Sequence, residues 1–315
     1  MLLRDFRATL PIPPEEQLYL LENPRFPTET GAFKVLPAQP GRLRRYLARK
    51  LRQPMLDLPA RDSLLFIGEA NRSWEEHTVL AALFRLIATH PRRRHVLLLG
   101  KSDIALDAEI LSKFPPNLHA VIGNNVSAIS PRLRVLPMGR DFRSKQEAGG
   151  VRPNPHPDTL VYCNFSVDTH PDRKRVHDML RDKTDFVRFD HMGEFRQYTL
   201  TREAFFLRLG ASKFSVCPRG NGLDTFRLWD SLALGVIPIV VREAALHREF
   251  DDLPILYLDR LEDFAALEPA QLERIHGEMM NREWNYAKLT LGHWLRRIHT
   301  LREELIGTPA ASADR

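Results

Sequence analysis

Short apolar runs alternate with longer segments of helical periodicity along most of the chain, beginning near position 63. The runs predict strands at 64–68, 96–100, 120–122, 134–138, 159–165 and 186–189. The periodic segments predict helices at 74–89, 104–114, 171–181 and 201–209. Strands that alternate with such helices are typical of βαβ units, in which the strands form a parallel sheet. Because the alternation breaks off near 140 and restarts near 159, the pattern predicts an α/β protein with two tandem doubly wound domains.

The expected domain boundary lies in the stretch between the two series of strands. Residues 142–158 contain a Gly-Gly pair, three prolines and several charges, which is typical of a linker. We therefore place the first domain at 59–150 and the second at 151–290. The proline-rich residues 1–58, with one predicted helix at 40–51, are interpreted as an N-terminal extension that packs on the first domain. Residues 291–315 are interpreted as a helix and tail, and a return of this helix to the first domain is one option.

The segment 213–241 is the most informative part of the pattern. A short apolar run at 213–217 predicts a strand, and the turn at 218–222 follows it. A helix of amphipathic spacing is predicted at 223–234, Gly235 ends it, and the run Ile237 to Val241 predicts the next buried strand. Open parallel sheets bind ligands at the carboxyl ends of their strands, so the turn is where a ligand is expected.

The polar residues of this segment suit a phosphate. Gly220 and Gly222 can take positive φ and bring backbone N–H groups close to an anion. The side chains of the first two helical turns lie where a helix N-terminus favours negative charge; they are Asp224, Thr225, Arg227 and Asp230. Taken singly, these residues also fit turn glycines, a helix cap and a surface ion pair. Taken together, they predict a site for phosphate and ribose.

Composition and charge narrow the class of partner. The chain has 315 residues, a formal net charge of +6 and a pI of about 9.5, which favours an anionic partner such as a sugar nucleotide, an acidic glycan, a membrane surface or nucleic acid. The basic residues lack the aromatic interleaving of a nucleic-acid platform, so a solvated basic face is the default and no nucleic acid is expected. An alternative role for the basic cluster at 41–53 is an amphipathic helix that contacts anionic lipid peripherally.

Cysteine spacing and hydropathy indicate whether the protein binds a metal and where it is located. Cys163 and Cys217 fall in predicted buried strands, and no Cys/His spacing suggests a metal, so we expect neither a metal nor a cofactor. The first residues lack the apolar core of a signal peptide, and no run approaches about 18 apolar residues. A cytoplasmic protein is therefore expected, with the inner membrane face as a possible place of contact.

Two strings within 213–241 resemble a known family. Arg227-Leu228-Trp229-Asp230 and the run from Gly235 to Val240 resemble the donor-site signature of the exostosin-type (GT47-like) glycosyltransferases, and 164–175 is weakly similar to the Arg-bearing helix of that family. The resemblance implies a GT-B-like architecture, with two Rossmann-like domains facing across a cleft. It also implies transfer of a sugar from a nucleoside-diphosphate sugar, with a UDP-sugar expected, to a saccharide or glycan acceptor. Inversion, independence of metal, and a role in surface polysaccharide or glycoconjugate synthesis follow from the same resemblance.

The resemblance also assigns roles to residues. Asp230 is expected to bind the ribose hydroxyls, and an arginine fork suits two phosphate oxygens. The diphosphate would contact Arg219, Arg227, either Arg173 or Arg175, the backbone of Gly220, Asn221 and Gly222, and the side chain of Thr225. Asp224 is a further candidate of the donor site.

An inverting transfer needs a general base on the acceptor hydroxyl, and this base is expected from the first domain. Three acidic residues follow predicted strands and are the candidates: Glu69, which is favoured, Asp141 and Asp168. Each of these carboxylates also fits a structural role, as a helix cap or as the partner in a loop salt bridge. A non-catalytic nucleotide-sugar or glycan-binding module is the alternative function, and a nucleic-acid binder is a third.

Overall fold

The computed structural model describes residues 1–19, 28–35, 56–67, 73–100, 102–141, 151–190 and 200–307, with 73–78 described by their backbone alone. The predicted helix at 40–51 and the favoured base Glu69 lie outside the described residues. So does most of the predicted linker, at 142–150.

The strands in the described residues form two parallel sheets. The first sheet contains β1 (Phe33–Lys34), β2 (Ser63–Ile67), β3 (His95–Leu99), β4 (Leu118–Gly123) and β5 (Leu133–Val135), in that spatial order. The second contains β6 (Thr159–Cys163), β7 (Val187–Phe189), β8 (Ser212–Val216), β9 (Ile237–Val241) and β10 (Leu256–Leu258). Its spatial order is β10-β9-β8-β6-β7, and every pair is parallel. The predicted α/β class, with two tandem parallel sheets, is confirmed.

Helices lie before, between and after these strands. They are α1 (Leu3–Thr9), α2 (Ser73–Ala88), α3 (Ala108–Ser112), α4 (Pro171–Leu180), α5 (Arg202–Gly210), α6 (Phe226–Ala233), α7 (Ala244–His247), α8 (Pro269–Met280) and α9 (Leu291–Ile306). Short 3-10 segments lie at Arg248–Phe250, Leu261–Ala266 and Tyr286–Leu289. Among the described helices, none has both the length and the apolar character needed to cross a membrane.

Buried apolar side chains explain the positions of the strands. Leu64 and Leu65 in β2, and Val96 and Leu97 in β3, are at most 1% exposed, as expected for parallel strands covered on both faces. Cys163 and Cys217 are both buried and free, in line with their interpretation as small apolar residues.

The chain divides into two compact units, and each contains one sheet. One unit comprises Met1–Leu20 and Met138–His293, and therefore the second sheet. The other comprises Leu21–Pro137 and Trp294–Arg315, and therefore the first sheet. The sequence pattern predicts that all of 1–58 packs on the first domain, whereas α1 belongs to the unit of the second sheet.

Arg7 in α1 gives the physical reason for this difference. Its guanidinium donates to the backbone carbonyls of Gly210 (2.6 Å), Ser212 (3.0 Å) and Gly235 (3.1 Å), at the ends of helices and the start of a strand in the second sheet's unit. Burial lowers the pKa of Arg7 to about 10. Gly235 has a φ of +64°, and a Cβ there would lie 2.9 Å from Cβ of Arg7, so only glycine suits this position.

Candidate functional site

The order of the second sheet places a topological switch point between β6 and β8. β6 pairs with β7 on one side and with β8 on the other, so the chain leaves β6 toward one edge and returns on its opposite side. In open parallel sheets, ligands bind outside the carboxyl ends of the strands at such a point. The segments that follow these ends are 164–170 after β6 and the turn at 217–222 after β8. We call 217–222 the arginine turn, since Arg173, Arg219 and Arg227 surround it.

Arg173 holds the arginine turn through hydrogen bonds to its backbone. It lies in the first turn of α4, which begins with His170 as N-cap and Pro171 as first residue. Its Nε donates to the carbonyl of Arg219 at 2.8 Å, and its Nη1 donates to the carbonyl of Ser166 at 3.2 Å. Burial, and then the nearby charge of Arg227, lower the pKa of Arg173 to about 9. The side chain therefore links the loop after β6 to the turn after β8.

Gly220 is required by the close approach of Arg173. A Cβ at Gly220 would lie 2.9 Å from Nη2 of Arg173, closer than a side chain tolerates. Neither Gly220 nor Gly222 has positive φ, so the prediction that these glycines serve left-handed backbone is wrong. The Gly220 N–H donates to the carbonyl of Gly222 at 3.1 Å. This backbone N–H is therefore engaged within the turn, so an anion there would be bound in part by side chains.

Arg219 and Arg227 supply these side chains. The Nε atoms of both are buried and have no hydrogen-bond acceptor among the described residues. Arg219 donates from Nη2 to the carbonyl of the exposed Asn221 at 3.5 Å. Burial lowers the pKa of Arg227. Buried N–H groups are normally hydrogen-bonded, so the unmatched Nε–H groups of two half-buried arginines beside Arg173 indicate a place for an anion.

The structure distinguishes Arg173 from Arg175, which the sequence left as alternatives. Arg175 is about half exposed, and its Nη2 lies 2.5 Å from the Glu262 carboxylate. A second carboxylate, that of Asp172, lies 3.8 Å from its Nη1. Arg173 is the arginine at the turn, and Arg175 takes part in surface ion pairs.

Asp224 is buried and hydrogen-bonded inside the protein. Its side chain is 3% exposed and accepts hydrogen bonds from the backbone N–H of Met138 (2.6 Å), the indole N–H of Trp229 (2.8 Å) and the backbone N–H of Thr225 (2.8 Å). Burial raises the pKa of Asp224 to about 7, against the lowering effect of these donors. The structure thus places Asp224 beneath the helix start, where it fixes the backbone before α6. Thr225 is the N-cap of α6, and its side chain makes no capping bond.

Asp230, the expected ribose ligand, is paired with Arg140. The Arg140 Nε donates to Oδ1 of Asp230 at 2.8 Å, and both side chains are less than 10% exposed. Arg140 also donates to Gln17 and, at 3.3 Å, to the hydroxyl of Tyr19. Burial raises the pKa of Asp230, and the charge of Arg140 opposes this. Asp230 is thus buried against Arg140, and its charge opposes the lowering of the pKa of Arg227.

The candidate bases occupy different surroundings. Asp141 is buried, and its carboxylate lies 3.8 Å from a guanidinium nitrogen of Arg202. It belongs to the unit of the second sheet, whereas an inverting transfer predicts a base from the first domain. Asp168 is exposed in the segment after β6, and its charge acts on the pKa of Arg173. Asp168 is therefore the described candidate that lies near the arginine turn.

A pocket of about 200 Å³ adjoins the arginine turn. Its walls include Arg219 and Thr225, and also Glu243 and His247, which follow β9. The Glu243 N–H donates to Nδ1 of His247 at 2.8 Å, so the neutral ring has its proton on Nε2. Burial, then the charge of Arg242, lower the pKa of His247 to about 4. Sequence reasoning missed both residues, although their place directly after a predicted strand was a usable signal.

No group of three or more His, Cys, Asp or Glu side chains in the described part of the chain is arranged to hold a metal ion.

Comparison with solved structures gives distant likenesses. An α1,3-fucosyltransferase is similar with a TM-score of 0.48 and 11% identity, over 97% of this chain and 97% of that chain. A structure described as trehalose-6-phosphate from E. coli bound with UDP-2-fluoro glucose gives 0.47 and 14%, over 85% and 78%. An α,α-trehalose-phosphate synthase (UDP-forming) from Burkholderia vietnamiensis gives 0.45 and 12%, over 84% and 78%. These scores are below 0.5, so we draw neither fold nor activity from them.

No protein-family model matches the sequence, and no curated protein matches it.

Proposed function

We propose that the chain is a GT-B-like glycosyltransferase that uses a nucleoside-diphosphate sugar as donor. One observation supports this most: Arg219 and Arg227 present buried N–H groups without acceptors, next to Arg173, at the switch point of a parallel sheet. A diphosphate is the ligand that this arrangement suits, because guanidinium groups pair with two oxygens at once. The string that resembles the exostosin-type signature contains Arg227 and agrees with the proposal.

The proposed chemistry needs positive charge at the diphosphate. An acceptor hydroxyl attacks C1 of the donor sugar, the bond from C1 to the phosphate oxygen breaks, and the hydroxyl proton passes to a carboxylate. The leaving nucleoside diphosphate gains one negative charge as the bond breaks. Arginines fixed in a desolvated site stabilise this charge more in the transition state than in the bound donor.

The finer assignments are parts of the same proposal. A single displacement of this kind inverts the configuration at C1, and the arginines make a bound metal unnecessary for charge neutralisation. Asp168 is the candidate base that we favour among the described residues, because it lies near Arg173. Glu69 and Asp141 stay as the alternatives. The exostosin-type family, a saccharide or glycan acceptor, a role in polysaccharide synthesis and a peripheral contact with anionic lipid are proposed on the sequence pattern alone.

Turnover of a donor tests the enzyme. The full chain is incubated with GDP-, UDP- and dTDP-sugars and a set of saccharide acceptors, and the released nucleoside diphosphate is measured. We expect release from one class of donor, and a rate about 10²-fold lower in Arg227→Ala because one stabilising cation is lost. Arg274→Ala is the matched control, since Arg274 lies in α8 and pairs on the surface with Glu278 at 2.7 Å. This control should keep the wild-type rate.

The same assay separates the alternatives. A donor that raises the melting temperature but is never hydrolysed or transferred would contradict the enzyme and favour a non-catalytic binding module. The variants Glu69→Gln, Asp141→Asn and Asp168→Asn then test the base. Persistent turnover in all three would show that each base assignment is wrong.

A further inference from the structure

The pocket beside the arginine turn is too small for a whole nucleotide sugar. Its volume of about 200 Å³ lies below the range of roughly 300–1,000 Å³ that is usual for sites enclosing a complete ligand. Cys217, Pro218 and Arg219 belong both to its wall and to the arginine turn, so a ligand held there by its phosphates reaches into the pocket with its next part. In a nucleotide, that part is the ribose and the base.

The chemistry of the lining suits a flat heterocycle. Apolar side chains provide most of the wall, including Leu223, Leu228, Val240 and Leu261. Glu243 is the lining carboxylate that lacks both an ion pair and a side-chain hydrogen bond within the described residues. By contrast, Asp172 lies 3.4 Å from the ring of His170, and Arg242 pairs with Asp251 at 2.8 Å. Arg219 and Thr225 also line the pocket and are assigned to the phosphates, so Glu243 is the carboxylate left to specify the base.

We infer that this pocket takes the guanine base of a GDP-sugar, and that the Glu243 carboxylate accepts hydrogen bonds from guanine N1–H and the exocyclic N2 amino group. The inference rests on the proposed function and names its donor. Two adjacent N–H donors match the two oxygens of a carboxylate. Uracil presents one N–H between two carbonyl oxygens, which a carboxylate repels. The donor therefore differs from the UDP-sugar that the family resemblance implies.

His247 is a positioning residue for Glu243. Its ring is 4% exposed and accepts the backbone N–H of Glu243, which fixes the backbone that presents the carboxylate. Because burial keeps this ring neutral, it adds no cation that would compete for Glu243.

Calorimetric titration of the full chain with GDP, IDP and UDP tests the inference. IDP lacks the exocyclic amino group of GDP and is otherwise the same purine nucleotide. We expect GDP to bind on the order of 10-fold to 100-fold more tightly than IDP or UDP, since the analogues leave a carboxylate oxygen unpaired. Glu243→Gln should lose a similar factor for GDP. It should also gain affinity for XDP, because a carboxamide N–H pairs with the carbonyl that xanthine has at C2, and a misfolded variant would not show this gain.

Glu278→Gln is the matched control, as Glu278 is an exposed carboxylate on α8. It should leave all of these affinities unchanged. UDP binding as tight as GDP binding, or full GDP affinity in Glu243→Gln, would overturn the guanine inference and leave the proposed function standing. If none of the nucleoside diphosphates bound the wild type, both would fail.

Discussion

At the residue scale, Arg7, which is buried, and Arg227, which is half-buried with a buried Nε, have opposite surroundings. The Arg7 guanidinium donates to the carbonyls of Gly210, Ser212, Gly235 and, at 3.1 Å, Asn154. The Nε of Arg227 is buried without an acceptor among the described residues. A paired buried cation stabilises a fold relative to its removal, whereas an unpaired one imposes a desolvation cost on the apo protein. Arg7 is thus a structural residue, and Arg227 has the character of a residue kept for a ligand.

This contrast predicts changes of opposite sign in stability. Arg227→Met should raise the free energy of unfolding by about 1 kcal/mol, because it removes a desolvated charge. Arg7→Met should lower it by about 2–4 kcal/mol, because it leaves buried carbonyls without donors. Urea denaturation of the two variants and the wild type measures both effects. A loss of stability in Arg227→Met as large as that in Arg7→Met would contradict the assignment of Arg227 to a ligand.

At the element scale, apolar runs predicted the strands well and polar contacts set the ends of the helices. The run Ile237–Val241 is buried in a parallel sheet, and the strand there has the predicted bounds. The next helix upstream was predicted from position 223 but begins at Phe226, because the Asp224 carboxylate holds the N–H of Thr225 before the helix starts. Likewise α3 begins at Ala108, where the Asp107 side chain accepts from the N–H of Ile110.

The site was predictable in place but not in its pairings. The position of the arginine turn follows from strand order, which the sequence pattern indicates. The partner of Asp230 is Arg140, 90 positions earlier in the chain, and no local pattern points to it. The choice between Arg173 and Arg175 depends on the direction of each side chain from α4, so it needed the structure. The helix α1 and strand β1 were missed because they are short and lie among prolines.

Two glycines test the packing of the turn against that of a helix. Gly220→Ala places a Cβ 2.9 Å from Nη2 of Arg173, so we expect nucleoside-diphosphate affinity to fall by about 10-fold. Gly277 lies inside α8, where a Cβ meets no atom within 4 Å. Gly277→Ala should therefore stabilise the protein by about 0.5–1 kcal/mol and leave binding unchanged. Titration and urea denaturation of both variants provide the comparison, and unchanged affinity in Gly220→Ala would refute the close packing under the turn.

At the scale of the whole molecule, two parallel sheets lie in two units, and one of these units contains all of the proposed donor site. The described donor-site residues fall within Met138–His293. The N-terminal helix α1 belongs to the same unit. A formal net charge of +6 agrees with an anionic ligand without identifying it. The proposed donor class depends on Arg219 and Arg227 at the switch point, whose buried Nε–H groups have no acceptor among the described residues, and the central claim is that they bind a diphosphate.

Titration with a phosphate series tests this claim most directly. A nucleoside, its monophosphate and its diphosphate, in both the guanine and the uracil series, are titrated into the wild type and Arg227→Met. We expect affinity to rise with each phosphate in the wild type, and the gain from nucleoside to diphosphate to fall by about 10-fold in Arg227→Met, because one of the arginines is lost. Equal affinity of the wild type for nucleoside and diphosphate, or undiminished diphosphate binding in Arg227→Met, would contradict it.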